Sequence, residues 1–197
     1  QKNRVKDQIF KIWGIGCTFF GLVILFFFIG DILIDGIQRI DWAFITDLPS
    51  RKAEKSGIYT ALMGSIWILL LTTLIALPVG VAAGIYLEEY SNKGRLSALL
   101  EINISNLAGV PSIIYGLLGL EVFVRIMNLG ASVLAGSLTL SLLILPIIIV
   151  ATREAIKAVP SSIKDASYAL GASKWQTIWH QILPASSGGI LTGVILA

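Results

Sequence analysis

Apolar and charged positions are segregated along this chain into long blocks. Lys11 and Asp31 bracket 19 uncharged residues, Lys55 and Glu88 bracket 32, Glu101 and Glu121 bracket 19, and Arg125 and Arg153 bracket 27. A membrane-spanning helix needs roughly 20 apolar residues. The blocks predict spans over about 12–30, 57–87, 102–127 and 133–152, with a fifth beginning near residue 186. Between the fourth and fifth lies a polar, helix-coded segment, 153–184. The fold class predicted is an all-α membrane protein, a polytopic helical bundle forming a single domain over 1–197. The last apolar stretch, Ala185–Ala197, has only 13 residues and is too short to cross a bilayer. The chain is therefore expected to be a C-terminally truncated piece of a longer protein.

Composition agrees with the blocks. The 197 residues are 55% hydrophobic and 14% charged, against about 25% charged in a soluble domain. The first span follows a basic start, yet its apolar run exceeds the ~7–15 residues of a signal peptide and no small-x-small site follows Gly30. It reads as a retained anchor. The single Cys17 lies inside it and excludes an intrachain disulfide.

The net charge of +3 is a topology signal. With a cytoplasmic N-terminus, the inside segments hold Lys2, Arg4, Lys6, Lys11, Lys93, Arg95, Arg153, Lys157, Lys164 and Lys174. The outside segments hold Arg39, Arg51, Lys52, Lys55 and Arg125. That is 10 of 15 basic residues inside, the bias expected of cytoplasmic loops. It argues against a nucleic-acid partner and puts 153–184 in the cytoplasm. The first outside segment, 31–56, is rich in Asp, and Trp42 and Trp67 suit the membrane interfaces.

Within the spans, glycine and proline mark the departures from a plain helix. Pro78 should bend the second span by removing a backbone hydrogen bond, and Gly80 and Gly84 form a small-xxx-small face for close packing. Glu88 and Glu89, in the short return that follows, are expected to be solvated. The third span holds Leu107-Ala108-Gly109-Val110-Pro111-Ser112, which predicts an interrupted helix. Freed backbone groups are tolerated in a membrane only where protein or water satisfies them, and broken helices often line substrate sites. Asn106, Gly109, Pro111, Ser112 and Tyr115 are candidates for a substrate path. A kink without substrate contact is the equal alternative. Glu121 and Arg125, at i,i+4, can pair on one face, with Asn128–Ser132 as a short turn. Pro146 lies toward the inner part of the fourth span.

The segment 153–184 writes two short helices. Ser162-x-x-Asp165 and Ser173-x-x-Gln176 are capping-box patterns, Gly171 is a helix C-terminal glycine, and Pro184 should end the second helix. Ile163, Ala166 and Leu170 fall on one helical face, as do Trp175, Ile178, Trp179 and Ile182. These faces should lie against bundle or membrane and leave the Gly171-Ala172 turn as an exposed tip. His180 should sit on the polar side.

This segment resembles the EAA loop of ABC-importer permeases, Glu-Ala-Ala-x3-Gly-x9-Ile-x-Leu-Pro. Asp165-Ala166-Ser167 stands for Glu-Ala-Ala, Gly171 keeps its spacing, and Leu183-Pro184 closes the motif. Asp165, Ser167 and Gln181 depart from it. Gly57 to Leu62, Ile85 to Tyr90, Leu107 to Gly119 and Ala151 to Pro160 resemble phosphate-importer permeases of the PstA type. The resemblance implies the type I ABC importer permease fold in a bacterial plasma membrane. It implies that Asp165, Ala166, Ser167, Leu170, Gly171, Ala172, Ser173, Lys174 and Trp175 dock an ATP-hydrolysing subunit. It further implies a second, related permease, an extracytoplasmic phosphate-binding protein, and phosphate as substrate. In that family an Arg followed by a Gly-Glu pair occurs in the helix that begins here at Ser186, beyond the residues present.

No cofactor is expected on this chain; ATP and Mg would belong to the partner ATPase. The sequence has no G-x-x-x-x-G-K-[ST] loop, and one His and one Cys suggest no metal chemistry. The competing readings are a permease for another solute, an intramembrane enzyme and a scaffold. The uncharged runs lack the paired acids an enzyme needs, and a scaffold needs no broken helix.

Overall fold

The computed structural model describes residues 2–37, 40–52, 55–91 and 94–197, without the side chains of residues 2–5 and 96. Arg39 and Lys93, which enter the charge asymmetry, lie outside the described residues, as do the side chains of Lys2 and Arg4. Every regular element among the described residues is helical. Two compact units are formed, Gln1–Met63 and Gly64–Ala197.

The first unit contains α1 (Lys2–Ile37) and the short α2 (Trp42–Thr46). From Lys6 to Ile37, α1 is long and apolar enough to cross a membrane. Asp41 caps α2 by accepting from the Phe44 N–H at 2.7 Å. The chain then folds back, with Gly57 N–H donating to the Leu48 carbonyl and Ile58 N–H to that of Phe44. A Cβ at Gly57 would strike the Asp47 backbone, so this return needs glycine.

Helix α3 (Tyr59–Ile85) runs on into a π-helical turn, Tyr86–Tyr90. Then follow α4 (Arg95–Ala108), α5 (Ser112–Gly119) with a π-helical continuation to Ile126, and α6 (Val133–Lys157). The chain continues through α7 (Ser161–Ala169), α8 (Lys174–Thr177), a π-helical stretch Ile178–Ile182, and α9 (Leu183–Leu196). Three helical runs, Lys6–Ile37, Tyr59–Tyr90 and Val133–Lys157, are long and apolar enough to span. The third predicted span is a pair of helices meeting at 96°.

A seam of small residues joins α3 to α6. Thr72, Ala76, Gly80 and Gly84 recur every fourth position on α3 and are all buried. A Cβ at Gly80 would lie 2.6 Å from the Ile148 side chain, and one at Gly84 2.7 Å from that of Thr152. The predicted small-xxx-small face is thus a real close approach. Near the other end of the seam, Thr72 donates to the Ser137 carbonyl and Ser141 to that of Thr72, both at 3.4 Å. A second seam was not read from the sequence. Gly189 and Gly193 on α9 meet Ala155 and Ala151 on α6, with a Cβ at Gly189 falling 2.8 Å from that of Ala155. The spacings G-x-x-x-G and A-x-x-x-A were the available signal.

Three expectations are corrected. Pro184 does not end a helix: it occupies the first turn of α9, where its missing N–H costs little, and the preceding π-helical stretch keeps the run continuous. Ser162 and Asp165 form no capping box, because α7 starts at Ser161, two residues before a helix capped by Ser162 would, and Pro160 stands at the cap position without a side-chain bond. Glu88 and Glu89 are not solvated: their side chains are 20% and 7% exposed and ion-paired.

Candidate functional site

The α7–α8 pair owes its shape to one glycine. Gly171 has φ +82°, a region that costs other L-residues roughly 1–2 kcal/mol. Around it, Ala172 N–H donates to the Ser167 carbonyl at 3.2 Å and Gly171 N–H to that of Tyr168 at 2.9 Å. These two bonds are the Schellman pattern that closes a helix end. Ser173 then opens α8 with the predicted capping box, its side chain accepting from Gln176 N–H while its own N–H donates to Gln176 Oε1 at 2.8 Å.

The pair is anchored at its base and bare at its tip. Ile178 and Ile182 are fully buried against Ile156 of α6, with Ile85 and Leu183 alongside. The Ser167 and Thr177 hydroxyls meet at 2.9 Å and tie α7 to α8. The departure at Ser167 therefore has a partner in the fold. Leu170 is 89% exposed, and Asp165, Gly171 and Ser173 are exposed around it. An open groove of about 710 Å³ runs between the two helices, lined by Ile163, Ala166, Leu170, Gln176, His180 and Gln181 among others. His180 is exposed, as expected, with Nδ1 3.0 Å from the Gln176 carbonyl.

Of the apolar faces expected against bundle or membrane, only part meets the bundle. Ile163, Ala166 and Leu170 do not lie on the bundle; they line the open groove. The four apolar positions of the second helix split into two columns. Ile178 and Ile182 are buried, whereas Trp175 and Trp179 are 60% and 57% exposed and stack at 5.8 Å. Side chains four apart stack into one column, and only one of the adjacent columns turns toward α6.

Ion pairs missed by sequence reading gather at the same end of the helices. Arg153 of α6 reaches Glu88 at 3.5 Å and Glu101 of α4 at 3.2 Å. Lys164 of α7 pairs with Glu89 at 2.5 Å. Lys174 donates to the Glu89 carbonyl and lies 4.8 Å from the Tyr90 ring centroid. The signal was present as an acidic pair following an apolar run, but its partners are 65 to 85 positions away in sequence.

The substrate-path candidates converge on the 96° elbow between α4 and α5. Asn106, Gly109, Pro111 and Ser112 are exposed there and Tyr115 is half-buried. The Tyr115 hydroxyl donates to the Leu107 carbonyl at 2.9 Å, a second bond to a group that also accepts from the Val110 N–H at 3.1 Å. Pro111 offers α5 no side-chain cap. Gly109 has φ −89°, and a Cβ there meets only the Asn106 carbonyl at 3.4 Å. Farther along, Arg125 and Glu121 pair at 2.9 Å on an exposed face, as their spacing predicts. Among the described residues, no group of three or more His, Cys, Asp or Glu side chains could hold a metal ion.

The family model for binding-protein-dependent transport system inner membrane components matches residues 76–197, which include the α4–α5 elbow and the whole α7–α8 pair. The phosphate transport system permease protein PstA of Yersinia pestis is 36% identical over 196 residues, covering 99% of this chain and 66% of its own. PstA of Haemophilus influenzae is 36% identical over 177 residues, 90% of this chain and 62% of its own. The probable ABC transporter permease protein YqgI of Bacillus subtilis is 36% identical over 166 residues, 84% of this chain and 56% of its own. The chain thus spans some 56% to 66% of the length of these relatives.

Proposed function

The chain belongs to the binding-protein-dependent transport system inner membrane components, and on that premise we propose that it is a permease subunit of an ATP-driven importer for inorganic phosphate. The α7–α8 pair is its dock for the ATPase. The observation that carries this reading is the pair itself, seated on the buried Ile156, Ile178 and Ile182 while its Gly171 tip stays bare. A helix pair fixed at its base and gripped at its tip moves the helices it joins. Alternating access by rigid-body rocking of spans then follows. ATP and Mg are held by the partner ATPase, and this chain is a transport subunit, not an enzyme. A second permease and an extracytoplasmic phosphate-binding protein complete the assembly, in the plasma membrane of a bacterium.

Phosphate as the solute rests on relatives named phosphate transport system permeases. The α4–α5 elbow supplies the chemistry, since the uncapped start of α5 presents backbone N–H groups suited to an anion. A permease for another solute is the second reading, since relatives named only as probable ABC transporter permeases match as well.

Two experiments test the proposal. Gly109→Leu in the full chain, assembled with its ATPase, second permease and binding protein, should leave assembly intact and reduce phosphate uptake at least about tenfold. The backbone at Gly109 accepts a side chain, so wild-type uptake by an assembled variant would make the elbow a packing kink. Single cysteines at Ser91 and Ser173, in a Cys17→Ser background, should react only from the cytoplasm, and one at Ser50 only from outside. Labelling of position 173 from outside intact cells would overturn the docking reading.

A further inference from the structure

We infer that Glu89 is the joint that locks both helices of the docking pair to the end of the second span, a positioning residue for energy coupling. The inference deepens the docking reading and rests on it for its purpose, but its geometry stands alone.

Glu89 lies in the π-helical turn that ends the α3 run, and its side chain is only 7% exposed. Two lysines from opposite limbs of the docking pair converge on it. Lys164, on α7, holds the carboxylate at 2.5 Å. Lys174, at the start of α8, donates to the Glu89 backbone carbonyl and packs over Tyr90. Carbonyls in the last turn of a helix lack intrahelical donors, and a cation there also meets the negative end of the helix dipole. Lys174 thus caps the second span from a distance of 85 residues along the chain.

The neighbouring Glu88 faces elsewhere. Successive residues project about 100° apart in an α-helix and somewhat less in the wider π turn, so the acidic pair fans out to two sides. Glu88 goes to Arg153, which also holds Glu101, and this ties the same turn to α6 and α4. One turn of backbone therefore links the docking pair, through Glu89, to α6 and α4, through Glu88. Displacement of α7 and α8 is carried to the span by this charged link as well as by the chain connection after α6. A partly buried ion pair is costly to break on one side alone, which makes the link stiff.

The test separates the joint from the docking reading. A spin label on Cys at Tyr168, an exposed position of α7, in a Cys17→Ser background, reports the mobility of the docking pair without any ATPase present. The full chain in nanodiscs should give an immobilised spectrum. Glu89→Gln and Lys164→Gln should each free the label by a severalfold shorter correlation time, and the double variant should add nothing to either. Glu121→Gln, in the exposed pair with Arg125, should leave it immobilised. If Glu89→Gln fails to insert, Lys164→Gln alone decides, since it lies outside the spans. An unchanged label in Lys164→Gln, or additive effects in the double variant, would overturn the joint. In the assembled importer, Glu89→Gln should lower phosphate carried per ATP hydrolysed severalfold. Failure of the wild-type chain to bind an ATPase would sink the docking reading and leave the joint untouched.

Discussion

Gly171→Val is expected to cut ATP-driven transport about tenfold or more while leaving the protein inserted in the membrane. The cause is backbone, not space: no atom lies within 4 Å of a Cβ built at Gly171, but its φ is +82°. A left-handed residue other than glycine costs roughly 1–2 kcal/mol, and a β-branched side chain stands at the upper end or beyond. Each 1.4 kcal/mol is about tenfold in a population. The two Schellman bonds at Ala172 and Gly171 would then be lost in much of the ensemble, and with them the angle between α7 and α8. Gly171→Asn, which tolerates this region, should keep most of the activity. Co-purification with the ATPase and initial uptake rates measure both. Normal binding and uptake in Gly171→Val would mean that the tip does not dock. Asp165→Ala should weaken the same contact less: Asp165 is exposed and serves no cap in the fold, so only a charge toward the partner is lost.

Gly84→Leu should prevent stable assembly of the bundle, the second large effect. A Cβ at this position would fall 2.7 Å from the Thr152 side chain and 3.2 Å from the Ile149 carbonyl, so the obstacle includes backbone that cannot yield. Adding even one methylene to a tight core typically costs about 1–3 kcal/mol, and leucine adds four carbons. Gly64→Leu, on the same helix with nothing within 4 Å of its Cβ, should be neutral. Membrane accumulation and resistance to proteolysis of the two variants give the comparison. Equal accumulation would mean that α3 and α6 are not pressed together at the Gly80–Gly84 face.

What the sequence disclosed depended on the range of the interaction. The Leu107–Ser112 break, the Ser173 capping box, the left-handed Gly171 and the Glu121–Arg125 pair are set by residues within a few positions of one another, and each stands where the spacing put it. Glu88 and Glu89 were misread because a carboxylate after an apolar run is solvated unless a distant cation finds it, and Lys164 is 75 residues away. Pro184 was misread because a helix stop and a first-turn proline look alike until the wide turn before it is seen. The split of Trp175 and Trp179 from Ile178 and Ile182 depended on which of two adjacent columns α6 would cover. The α9 seam was legible in Gly189 and Gly193, but only against Ala151 and Ala155, whose role requires the return of the chain onto α6.

The central claim, that this chain carries phosphate under the power of an ATPase gripping α7 and α8, is tested most directly by reconstitution. The full chain, with its second permease, its ATPase and the binding protein, should be placed in proteoliposomes with radiolabelled phosphate. Phosphate should accumulate only with ATP and the binding protein, and about tenfold or more slowly with Gly171→Val. Phosphate uptake indifferent to ATP, or ATP-driven uptake of a different solute with phosphate ignored, would contradict it.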